Sequence, residues 1–153
     1  MLDIKPCLWF RDEAEAAAGF YVSVFPNSTI AGVMRGAPDA PAVAVAFVVD
    51  GTNVLALNGR QENGFTDAHS FVVNCDTQDD IDRYWSALTG DGGEEGRCGW
   101  LKDRFGVSWQ IVPSDMPSLL GGPDPAAAGR AMQAMLGMRK LDIATLERAR
   151  DGR

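Results

Sequence analysis

The feature that most constrains this chain is a repeat of pattern rather than of residues. Asp12 and Asp76, Phe20 and Tyr84, Tyr21 and Trp85, and Val24 and Leu88 stand 64 positions apart. Gly51 and Gly106, Val54 and Trp109, and Leu57 and Val112 stand 55 apart. Two registers that each hold over several landmarks point to one supersecondary unit used twice. A chain built this way folds as two copies of the same unit.

The unit is legible in the first half. Ile4 to Phe10 (IKPCLWF) is a short run rich in strand formers. Asp12 with Glu15 three residues later reads as a helix start, and Ala14, Ala17, Ala18, Tyr21 and Phe25 recur at helical spacing until Pro26-Asn27. Thr29 to Arg35 and Val43 to Val49 are strand-like, Asp50-Gly51 is a hairpin signal, and Val54 to Asn58 returns as its partner. The order is therefore strand, helix, three strands.

The second half repeats it. Ser70 to Cys75 is the strand, Thr77 with Asp80 the helix start, and Ile81, Tyr84, Trp85 and Leu88 the apolar stripe. The fold class is α+β: two βαβββ repeats forming curled mixed sheets around a cavity, followed by C-terminal helices. The domain spans 1–122, with halves at about 1–60 and 66–114, and a helical extension spans 123–153. There Asp124-Pro125 opens one helix and Asp142 a shorter one. Met132, Met135, Leu136, Leu141 and Leu146 give this tail an apolar side, which either covers the sheet or docks on another subunit.

Composition excludes several function classes. With 14 Lys and Arg against 21 Asp and Glu, a net charge of −7 repels a phosphate backbone, so no nucleic acid is expected as a partner. No run approaches the ~20 apolar residues of a membrane span. The N-terminus has no basic leader before an apolar core, so the expected location is cytoplasmic. Three cysteines without C-x-x-C spacing suggest buried thiols rather than a disulfide framework or a zinc knuckle.

Several stretches resemble the PhnB-like branch of the vicinal oxygen chelate superfamily, the group of glyoxalases, bleomycin-resistance proteins and extradiol dioxygenases. They are PCLWF, FYVSVFPNS, LALNG, SFVVNC, the string CGWLKDRFGVSWQIVP from Cys98 to Pro113, and the tail from Ala131 to Ala149. Members of that branch are often labelled 3-demethylubiquinone 3-methyltransferase. The resemblance implies a cavity in which four side chains, usually His and Glu, hold a divalent metal acting as a Lewis acid. It also implies a homodimer.

Carried onto this chain, the four ligand positions fall on Pro6, Leu55, Ser70 and Gln110. Proline and leucine have no lone pair to offer, and neutral serine and glutamine are weak ligands. The expectation is therefore no metal and no cofactor. Strand alternation then lines the cavity with Pro6, Leu8, Phe10, Leu55, Leu57, Ser70, Val72, Asn74, Ser108, Gln110 and Val112. That set suits a small neutral ligand oriented by a few hydrogen bonds, and it holds no acid, base or nucleophile. The function expected is metal-independent binding of a small molecule. One alternative is a metal-dependent lyase, isomerase or dioxygenase using His69 after a one-residue slip in register. Another is an assembly protein acting through the tail.

Other features have bland readings. Trp100 and Trp109 either wall the cavity or anchor the core, and Lys102 and Asp103 either reach a ligand or serve the turn before Gly106. Asn58 is a ligand contact or a turn former, and Cys7 is expected on the helix side beside Trp9. Gly90 to Gly93 follows a helix and precedes strands, the reverse of a phosphate-binding loop. The chain has no glycine-rich loop after a first parallel strand, so methyl-donor binding is not expected.

Overall fold

A computed structural model describes residues 2–153, which divide into two compact units, one ending at Gly64 and one beginning at Phe65. The first contains β1 (Cys7–Phe10), α1 (Ala14–Val24), β2 (Thr29–Arg35), β3 (Ala42–Val49) and β4 (Thr52–Asn58). Its sheet runs β1-β4-β3-β2, with β1 parallel to β4 and the other pairs antiparallel. Val49 pairs with Thr52, so Asp50-Gly51 is a two-residue loop. Both loop residues have positive φ, 41° and 78°, as a type I′ hairpin demands.

Helix α1 buries Ala14, Ala17, Ala18 and Tyr21 against one face of this sheet, where the Tyr21 ring lies 6.1 Å from that of Phe47. The expected Asp12 cap is not made. Residue Glu13 occupies the cap without a side-chain bond, and Ala14 N–H donates instead to Asn58 Oδ1 at 2.8 Å. The Asn58 amide also donates to the Ala42 carbonyl at 2.9 Å, so this side chain ties helix to sheet. Glu15, read as the helix-start partner, pairs with Arg35.

The second unit contains β5 (Phe71–Cys75), α2 (Gln78–Thr89), a 3-10 turn (Gly90–Gly92), β6 (Glu94–Glu95), β7 (Trp100–Lys102) and β8 (Ser108–Pro113). Its sheet runs β5-β8-β7-β6, again with the first pair parallel. The Thr77 hydroxyl caps α2 by accepting from Asp80 N–H, and Ile81, Tyr84, Trp85 and Leu88 are buried as the stripe required. The two units together bear out the α+β, βαβββ reading.

Helices α3 (Met116–Leu120), α4 (Pro125–Leu136) and α5 (Ile143–Asp151) complete this unit. Asp124 and Asp142 cap α4 and α5 as read from sequence. The tail docks on its own unit. Leu119, Leu141 and Leu146 are fully buried together, each worth about 2–3 kcal/mol by area. Gln78 grips the strap between α4 and α5, donating to the Leu141 carbonyl at 3.1 Å and accepting from Ile143 N–H at 2.9 Å. Gly99, at φ 83°, receives the strap closely: a side chain there would meet the Ile111 carbonyl at 2.7 Å and Leu141 at 3.1 Å. Among the described residues no helix is long and apolar enough to cross a membrane.

Candidate functional site

Each sheet has a helix-covered face and an open one, and strand register decides which side chains occupy the open face. In the first unit Leu8 pairs with Ala56, which pairs in turn with Val45, on the side of α1, and Leu8 and Phe10 are only 4% and 2% exposed. Cys7 pairs with Leu55, and Trp9 with Leu57, on the opposite side. The expectation that Leu8 and Phe10 share a face with Leu55 and Leu57 is therefore corrected, and Pro6 loses its place in the alternation with them. Cys7, expected on the helix side, is exposed on the open face.

The cause is a single residue. Three residues, 11–13, join β1 to α1, whereas two, 76–77, join β5 to α2. Landmarks in the helices therefore carry an offset that is one short for the strands before them. In strands a slip of one exchanges the two faces.

In the second unit the alternation holds. Val72, Gln110 and Trp100 form one rung of the open face, and Ser108, Lys102 and Glu94 form another. Asn74 pairs with Val112. Gln110 Nε2 donates to Ser70 Oγ at 2.9 Å, so these two neutral groups orient one another. Beside them opens a cleft of about 460 Å³, whose lining includes Asp67, Glu94, Arg97, Trp100 and Lys102.

Two expected lining residues are not available to a ligand. Ser108 is 2% exposed, and its hydroxyl donates to Asp67 Oδ1 at 2.8 Å. Val112 packs against the Leu119, Leu141 and Leu146 cluster. Asp67 also lies 3.4 Å from Lys102 Nζ. The Ser108 hydrogen bond first, and the Lys102 charge with it, hold its carboxyl below the ordinary value.

Several candidates prove structural. Asp103, 3% exposed, accepts from Phe105 N–H, Val107 N–H and Trp109 Nε1. Trp109 is core, stacked on Phe71 at 4.8 Å. His69 is exposed just before β5, its ring edge-on to Phe71 at 5.8 Å. Trp100, expected as cavity wall or core anchor, and Lys102, expected as ligand contact or turn residue, lie on the open face, as their register partners Gln110 and Ser108 show. Asp67, in the loop ahead of β5, carried no sequence signal.

The donor set does not suit a divalent metal. Among the described residues no three His, Cys, Asp or Glu side chains converge in a way that could hold one. The positions expected as ligands, Pro6, Leu55, Ser70 and Gln110, offer only one amide and one hydroxyl, which hydrogen-bond to each other, and Pro6 does not share the face of Leu55.

A sequence profile described as 3-demethylubiquinone-9 3-methyltransferase matches residues 2–112. Among solved structures, a putative 3-demethylubiquinone-9 3-methyltransferase, PhnB protein, from Bacillus cereus is 29% identical. That similarity covers 72% of this chain and 99% of the other, with a TM-score of 0.66. Protein PA1353 from Pseudomonas aeruginosa is 21% identical over 74% of this chain and 98% of its own, with a TM-score of 0.62. The fosfomycin resistance protein FosX from Listeria monocytogenes, complexed with Mn(II) and sulfate, is 14% identical over 72% and 92%, with a TM-score of 0.54. At those identities the last two show the fold alone. No curated protein matches the chain.

Proposed function

This chain belongs to the 3-demethylubiquinone-9 3-methyltransferase family, a PhnB-like group within the vicinal oxygen chelate superfamily, and on that premise we propose that it binds a small molecule without a metal. The ligand lies on the open face of the β5-β8-β7-β6 sheet, against Trp100, with Ser70, Gln110 and Asn74 as neutral hydrogen-bonding groups. The observation that carries this reading is the Gln110–Ser70 hydrogen bond, a fixed neutral pair at two positions that the resemblance assigns to metal ligands. Each keeps spare capacity: the serine O–H can donate and the amide oxygen can accept.

Methyl transfer finds no support in the connections that follow the strands. The β1–α1 link is Arg11-Asp12-Glu13 and the β5–α2 link Asp76-Thr77, neither with the glycine that a phosphate- or nucleoside-binding turn uses. The metal-dependent alternative through His69 is not favoured, because the ring stands edge-on to Phe71 and, among the described residues, no group of three His, Cys, Asp or Glu side chains could hold a metal. The assembly alternative loses most of its apolar surface to the docking of the tail on its own unit. Met132 and Leu136 remain 37% and 48% exposed on α4, and a homodimer through that side is part of our reading. So is a cytoplasmic location, in keeping with three free cysteines.

The test is a thermal-shift screen of neutral metabolite-sized compounds in chelator, repeated with Gln110→Ala and Ser70→Ala. Hits that weaken in both variants support the reading. Hits that appear only when a divalent ion is added overturn it.

A further inference from the structure

Two asparagine–glycine steps lie close together in this chain, Asn58–Gly59 and Asn63–Gly64. The dipeptide is chemically special. Glycine has no Cβ to shield its backbone nitrogen, so that nitrogen can approach the side-chain carbonyl carbon of the residue before it. The two steps share a sequence, and the fold separates them.

Asn58 is held at both ends of its amide. Its Oδ1 accepts from Ala14 N–H at 2.8 Å, and its Nδ2 donates to the Ala42 carbonyl at 2.9 Å. The Gly59 N–H donates to the Phe10 and Arg11 carbonyls at 3.0 and 3.1 Å. Attack within this pair requires these bonds to open together, a net cost that slows it by at least about tenfold.

Asn63 stands exposed in the connection between β4 and β5, and its side chain has no hydrogen-bond partner among the described residues. Gly64 is exposed too, at φ 65°. Its N–H makes one solvent-exposed bond, to Gln61 Oε1 in the same loop at 3.0 Å. Nothing ties this pair to a helix or a strand, so its backbone can adopt the geometry of ring closure at little cost. The remaining asparagines are less open. Asn27 donates to Asp50 Oδ1 at 3.2 Å, and Asn53 and Asn74 lie within β4 and β5 ahead of the buried Val54 and Cys75.

We propose that Asn63–Gly64 is a site of spontaneous covalent modification, at which Asn63 converts to aspartyl and isoaspartyl residues while Asn58 is preserved. The Gly64 nitrogen gives up its proton and bonds to Asn63 Cγ, the bond from Cγ to Nδ2 breaks, and the proton leaves with the side-chain nitrogen as ammonia. The cyclic imide then takes up one water. Opening at Cγ leaves an aspartyl residue; opening at the Asn63 main-chain carbonyl carbon leaves an isoaspartyl residue, whose backbone runs through Cβ and Cγ. Either product places a carboxylate where a neutral amide stood. The second also lengthens the backbone by a methylene in the loop that carries Asp67 to the cleft beside Trp100.

The test is peptide mapping by mass spectrometry of the full chain kept in warm, mildly alkaline buffer, until a parallel sample unfolded in guanidinium chloride has converted at both steps. In the folded chain the Asn63 peptide is expected to gain one mass unit, to split into two isomers, and to convert at least about tenfold faster than the Asn58 peptide. Isoelectric focusing should show a more acidic band growing at the same rate. Asn63→Gln, an exposed change whose longer side chain disfavours the ring, is expected to remove that band. An unconverted Asn63 peptide in the folded chain, equal rates at the two steps in the folded chain, or an unchanged acidic band in Asn63→Gln would each overturn the proposal.

Discussion

Gln110 Nε2 and Ser70 Oγ stand 2.9 Å apart, joining β8 to the residue that precedes β5 across the open face of the second sheet. In our reading the bond makes a neutral, mutually oriented pair of two positions that the family resemblance assigns to metal ligands. Gln110→Ala should therefore leave Ser70 free to rotate and weaken any ligand of this face by about 1–2 kcal/mol, roughly tenfold. Calorimetry on a screened ligand checks this, and thermal denaturation should show the variant still folded.

Asp103 is expected to be a stability residue. Its carboxylate, nearly inaccessible, accepts from two backbone amides and the Trp109 indole. Asp103→Ala strands all three donors, so urea unfolding should show a loss of about 2–4 kcal/mol. A change under 1 kcal/mol would remove it from that role.

Gln78 latches the tail. Gln78→Ala removes the bonds to the Leu141 carbonyl and the Ile143 amide and should destabilise the second unit by about 1–3 kcal/mol. Amide exchange should quicken around Leu141 and Leu146 before it does in β8. Uniform protection would show that the tail does not depend on this side chain.

Two titrations have opposite signs. Asp67 is depressed by Ser108 and Lys102, so the stability it contributes is present above the unfolded carboxyl range and is lost as pH falls through its lower folded value. Ser108→Ala should raise the Asp67 titration seen by carboxyl NMR. Burial pushes the Cys75 thiol up to about 11 from 9.0, so stability falls as pH rises through that window, where the unfolded thiol ionises and the folded one does not. Cys75→Ala should flatten that alkaline slope in urea-unfolding experiments.

The elements were legible where local chemistry fixes them. Thr77 three residues before Asp80, Asp50-Gly51 between two apolar runs, and Asp124 before Pro125 each carry their structure in adjacent residues. The cap of α1 was not legible, because it comes from Asn58, 44 positions away. The open face of β5 could be read because Phe71, Val73 and Cys75 make the better helix side, as Trp109, Ile111 and Pro113 opposite them bear out. The face of β1 is misread when alternation is counted from Pro6, the position taken from the family pattern, because the 64-residue helix offset that ties Pro6 to Ser70 is one short for the strands. Asp67 and the cleft beside Trp100 depend on a loop folding over Ser108, which no spacing encodes.

The most direct test of metal-independent binding is calorimetric titration of the untagged chain, freed of metal, with Mn(II), Ni(II), Zn(II) and Fe(II) at neutral pH. The account requires no saturable binding tighter than about millimolar for any of them, as a site of one amide and one hydroxyl dictates. Stoichiometric binding in the micromolar range or tighter, lost in Gln110→Ala, would contradict it.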